Sequence, residues 1–174
     1  MSGVIDAQQS AYRLTSLILW RELDRALVDA LAPHGTILEA FAKGVSSQLS
    51  SFDEDAQEMA ASEFCSLFVL PEGVSPRAAS FMQGDVNTAG ASISLAAKNA
   101  MQELALEKVA DDFGFLPEDH VALLLSVAEA ALAKGHVDIA NALVEPWRKD
   151  FSERLLALNP SPLYKACANI LLAL

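Results

Sequence analysis

Gly114-Phe115-Leu116-Pro117-Glu118-Asp119-His120-Val121-Ala122-Leu123-Leu124-Leu125 sets a charged, proline-led tetrad directly against an apolar run. The run continues with Val121, Leu124, Leu125, Ala128, Ala131 and Leu132 at helical spacing, and Gly135 closes it. This pattern predicts a helix over 117–134 with one buried stripe. Proline suits the first helical position, where its missing N–H costs nothing. Glu118 and Asp119 then fall in the first turn, where the helix dipole favours negative charge. His120 gains nothing there, so helix initiation leaves it unexplained.

The same period extends in both directions. Leu14, Leu17, Ile18, Trp20, Leu23, Leu27, Val28 and Leu31 predict a first helix over 6–31, closed by Pro33-His34-Gly35. Ile37, Leu38, Phe41 and Val45 predict a second over 36–48. Asp53 is a cap for a third, 54–70, which carries Met59, Phe64, Leu67 and Phe68. The loop Pro71–Pro76 follows, with Ser75 capping a short piece over 77–82. A helix over 88–112, stopped by Gly114, leads into the opening stretch. Beyond it lie 137–158, with a kink or restart at Pro146, and 163–172 after Asn159-Pro160-Ser161-Pro162. No alternating β-branched run appears. The expectation is an all-α protein, one compact bundle of about seven helices in a single domain, 1–174.

Composition narrows the function. Apolar residues make up 52% of 174 residues, and mean hydropathy is +0.28. No run reaches the ~18 apolar residues that a membrane-spanning helix needs. No basic stretch followed by an apolar one opens the sequence, so no secretory signal is expected. Cys65 and Cys167 form no disulfide framework, and reduced thiols in the cytoplasm are the simplest reading. A net charge of −11 repels nucleic acid, keeps an apolar-rich protein dissolved and favours cationic partners.

His34, His120, His136, Cys65 and Cys167 have no metal-ligand spacing, so neither metal nor cofactor is expected. Asp119 and His120 are neighbours, and neighbours on a helix point about 100° apart. They form no acid–base pair by adjacency. There is no Gly-x-Ser-x-Gly and no glycine-rich phosphate loop. The chain does not read as an enzyme.

Two further clusters stand out. Phe64, Leu67 and Phe68, at i, i+3 and i+4, share a helix face. Trp147-Arg148-Lys149-Asp150-Phe151 is followed by Leu155 and Pro162-Leu163-Tyr164. Each alone reads as core. Together, in this order, Phe64 to Phe68, Ser75-Pro76 with Phe81, Pro117 to His120, Trp147 to Phe151 and Pro162 to Tyr164 resemble the TorD/DmsD/NarJ family of molybdoenzyme-specific chaperones. The resemblance spans roughly residues 10–174, and Pro-Glu-Asp-His before an apolar helix is its most specific part. The family more often has Tyr or Trp where Phe64 stands, Tyr at Phe81 and Glu at Phe115.

The resemblance implies an all-helical cytoplasmic chaperone. Such proteins bind the N-terminus of a molybdopterin oxidoreductase precursor, often a twin-arginine signal peptide, and hold it until the cofactor is inserted before export. It nominates Phe64, Leu67, Phe68, Pro117, Asp119 and His120 as peptide-binding residues, with Glu118 beside them. In that reading Asp119 engages a peptide cation or polar backbone, His120 orders the groove, and the three apolar residues take the leader's apolar segment. Such a groove requires the helices 54–70 and 117–134 to lie side by side. The alternatives are an interaction module serving a soluble cytosolic metalloenzyme and, more remotely, a nucleotide hydrolase. A monomer or a helix-exchanged dimer is expected, with hinges at Gly84–Asn87 or Gly114.

Overall fold

A computed structural model describes residues 2–108 and 116–174. The expected end of the 88–112 helix, the stop at Gly114 and Phe115 lie outside the described residues. The rest is all-α: α1 Ser2–Trp20, α2 Arg25–Leu31, α3 Gly35–Phe41, α4 Val45–Ser50, α5 Glu54–Phe64, α6 Val86–Glu103, α7 Val121–Ala133, α8 Val137–Val144, α9 Arg148–Ala157 and α10 Pro162–Ala173. A π turn, Cys65–Val69, extends α5, and short 3-10 turns cover Ala32–His34 and Ala78–Phe81.

α7 is the hub. Val121–Leu125, Val127, Ala128, Ala131 and Leu132 are all buried, so its apolar surface is nearly continuous. Its partners are α1, α8 and α6, while α10 packs on α9, α3 and α1. Ser16 on α1 donates to the Ala122 carbonyl at 2.8 Å, fixing the register of the α1–α7 pair. The core then runs from Tyr12 through to Leu171. Trp147 and Phe151 stack edge to face, and Phe151 meets Phe81 of the second 3-10 turn in the same way.

Three predicted helices are divided. The first breaks at Arg21–Asp24: Asp24 takes an extended conformation and its carboxylate accepts from Leu27 N. Arg21 also bridges Asp24 at 2.7 Å. The apolar spacing passes through this break without a gap, which hides it. The second divides at Gly44, whose φ of 96° is left-handed. Glu39 spans that break, accepting from Gly44 N and Ser46 N at 2.8 Å each. Those bonds hold the Glu39 carboxyl below its ordinary range. The third restarts at Pro146 as expected, with α8 ending at Val144 and α9 beginning at Arg148. α6 starts at Val86, where Asp85 accepts from Asn87 N and Thr88 N, and ends at Glu103 rather than continuing. Ala105, at φ 50°, turns the chain there.

The opening stretch also differs from its reading. α7 begins at Val121, so Pro117 is not its first residue, and Glu118 and Asp119 lie ahead of it, not in its first turn. The N-cap is His120, whose Nδ1 accepts from Ala122 N at 3.2 Å. The residue that helix initiation left unexplained is the one that initiates the helix.

Candidate functional site

Residues 76–78 lie against residues 119–121 in a single antiparallel bridge, Arg77 to His120. Ala78 N donates to the Asp119 carbonyl at 2.8 Å, and Val121 N donates to Pro76 at 2.9 Å. These bonds bring Arg77 onto Asp119. Arg77 Nε donates to Oδ1 and Oδ2 of Asp119 at 3.1 and 3.0 Å. Nη2 reaches Oδ1 at 3.0 Å; the Asp119 side chain is 0% exposed and that of Arg77 is 55% exposed. A buried carboxylate without such a partner would be costly, so the pair also fixes the loop.

The pair sits at a cleft of about 350 Å³ lined by Arg77, Ala79, Ser80, Val86, Asn87, Gly90, Ala91, Ser94 and Asp119. α6 faces it with small residues. Gly90 lies closest to the carboxylate: a Cβ there would sit 3.4 Å from Ala79 Cβ and 3.9 Å from Asp119 Oδ2, in ordinary contact with both. The opposite side of α6, Ala89, Ile93, Ala97 and Ala100, is buried.

Beside the cleft, Glu118 faces Lys108 at 3.5 Å and Lys98 at 3.8 Å. A hydrogen bond from its own backbone N–H, and then these two lysines, hold its carboxyl below the ordinary range. His120 is 7% exposed. Burial lowers its pKa to about 4, with Asp119 opposing and Arg77 adding to the shift. It is therefore neutral at physiological pH, as its cap hydrogen bond to Ala122 N requires.

The predicted residues divide into two groups. Pro117, Glu118, Asp119 and His120 cluster at the bridge. Leu67 and Phe68 are buried, Phe64 is half-buried, and Phe68 packs edge to face on Tyr164 of α10. α7 packs on α1, α8 and α6, so the expected side-by-side arrangement with the helix over 54–70 does not form. The two groups are linked through the intervening loop instead, where Val74 N donates to the Leu67 carbonyl at 2.6 Å and Pro76 reaches Val121. Asp119 has its cation within the chain, in Arg77. Arg77, Asn87, Gly90 and Ser94 were missed by the sequence reading; only Ser75-Pro76 directly before Arg77 hinted at a built loop.

The nitrate reductase delta subunit family matches residues 22–157. The chain belongs to that family. Its members are redox-enzyme maturation chaperones and not catalytic enzymes. The match takes in the cleft, the Pro-Glu-Asp-His stretch and the Trp147–Phe151 pair, and ends before Pro162-Leu163-Tyr164. No curated protein and no solved structure matches the chain. Among the described residues, no helix is long and apolar enough to cross a membrane. No group of three or more His, Cys, Asp or Glu is placed to hold a metal ion among them either.

Proposed function

We propose that the protein is a cytoplasmic chaperone that binds the N-terminal leader of an apo-molybdoenzyme, often a twin-arginine leader, and holds it until the cofactor is inserted before export. Family membership over residues 22–157 carries this reading. The cleft beside Arg77 and Asp119 is the seat for the leader's main chain: small side chains on α6 leave room for an extended strand, and Ser80, Asn87 and Ser94 supply polar partners. Phe64, with the exposed Val69 and Leu70, takes the apolar part, while Leu67 and Phe68 support them from the core. Pro117, Glu118 and His120 shape the rim, and Asp119 acts through Arg77. The net charge of −11 draws in a cationic leader at long range.

Calorimetric titration of leader peptides from molybdopterin oxidoreductases tests the reading. Wild type is expected to bind one of them at micromolar affinity. Ala91→Trp, which places a large ring in the cleft from an exposed position, is expected to abolish binding without changing the melting temperature. Equal binding by Ala91→Trp would remove the cleft from the reading. Recovery of a mature soluble enzyme, rather than a precursor, as the co-purifying partner would remove the leader.

A further inference from the structure

Asp119 grips Arg77 from one side only. Its carboxylate takes Nε and Nη2, and among the described residues Nη1 has no partner. The guanidinium is thus held flat and fixed by a carboxylate that is itself 0% exposed, while its own side chain stays 55% exposed at the cleft. A guanidinium has two usable edges. The inner edge is filled, and the outer edge, Nη1 with the second hydrogen of Nη2, is a rigid two-donor fork. Such a fork matches the two oxygens of a carboxylate. Holding it in place removes much of the entropy cost that a free arginine would lose on binding. The Asp119 carbonyl also accepts from Ala78 N at 2.8 Å, next to Arg77, so the grip is built into the backbone bridge.

We propose that Arg77 is the leader's anchor, and that its outer edge receives the carboxylate of an acidic side chain in the bound segment. Asp119 is a positioning residue: it orients Arg77 and does not touch the ligand. This rests on the leader-binding reading, and it reverses the polarity that the sequence suggested, because the chaperone supplies the cation at this point and the client the anion.

The test uses two synthetic twin-arginine leader peptides, one carrying a single glutamate and one with glutamine in its place. Each is titrated into wild type, Arg77→Lys and Arg77→Ala, and the arginine side-chain N–H signals are followed by NMR. Sodium acetate is titrated separately. The glutamate peptide is expected to bind wild type at least about threefold more tightly than the glutamine peptide. Arg77→Lys, which keeps the charge beside Asp119 but loses the fork, is expected to erase that difference. The Arg77 signals are expected to move with the glutamate peptide and with acetate. Equal binding of both peptides to wild type overturns the inference and leaves leader binding intact. Discrimination that persists in Arg77→Lys also overturns it. So does tighter peptide binding by Arg77→Ala, which would make Arg77 a stand-in for the leader's own arginine. If neither peptide binds but acetate still moves the Arg77 signals, the leader reading falls and the anion seat stands. If Arg77→Lys does not fold, the glutamate-against-glutamine difference in wild type, with the Arg77 signals moved by the glutamate peptide, decides.

Discussion

His120 caps α7 with a ring nitrogen that must be unprotonated to accept from Ala122 N. Burial resists its charging, so its pKa falls from the ordinary 6.5 to about 4. Between those values the unfolded chain takes up a proton that the folded chain refuses. Its contribution is therefore complete above the unfolded value and is lost as pH falls towards the folded one, by about 3 kcal/mol in all. His120→Asn keeps a capping side chain and removes the titration. Urea midpoints at pH 7 and pH 4.5 are expected to fall less for His120→Asn than for wild type. Parallel losses in the two proteins would show that the imidazole is not responsible. The polar cluster was legible here because two acids and a histidine interrupt an apolar chain. The roles inside it were not. Capping by His120 depends on where the helix begins, and the ionic partner of Asp119 lies 42 residues away in sequence.

The helices reported themselves through spacing, and the breaks hid wherever spacing continued across them. Phe41 and Val45 are four apart, which masks the left-handed Gly44 between them; Trp20, Leu23 and Leu27 mask the cap at Asp24. Pro146 was visible because proline interrupts a helix by its own covalent structure. The π turn at Cys65–Val69 gave no sign, since Phe64, Leu67 and Phe68 fit an α-helix equally well. The turn ends at Leu70, which is extended, and Gly73 folds the following loop back onto it. The Gly73 N–H donates to the Leu70 carbonyl at 3.0 Å. A Cβ there would lie 2.3 Å from the Leu67 carbonyl oxygen and 2.7 Å from that of Ser66. Backbone atoms cannot swing aside as the end of a long side chain can. Gly73→Ala is expected to cost about 2–4 kcal/mol, at the upper end of single substitutions. Gly84→Ala, although strained by a φ of 104°, meets nothing within 4 Å and is expected to cost less. Denaturant melts of the two variants check the order, and a harmless Gly73→Ala would mean that the loop does not close on the π turn.

On the scale of the molecule, everything that positions the cleft hangs from α7. Its first residues hold the bridge to Arg77, its flank carries α6, and its body is clasped by α1 and α8. Leu124 sits within it at 0% exposure, one turn beyond the His120 cap. Leu124→Ala removes buried methyl groups and leaves a cavity, for an expected loss of about 3 kcal/mol. Because α7 belongs to one core that extends from Tyr12 to Leu171, that loss should not stay local. In native-state hydrogen exchange, the slowest amides of α1, α7, α8 and α10 are expected to lose the same free energy in the variant, and the denaturant slope to stay constant. In the 70–76 stretch only Val74 is buried, so amides there are expected to exchange through local openings that the variant leaves unchanged. If Leu124→Ala weakened protection in α7 alone, α7 would be a separately unfolding unit, and the cleft would lose its rigid side.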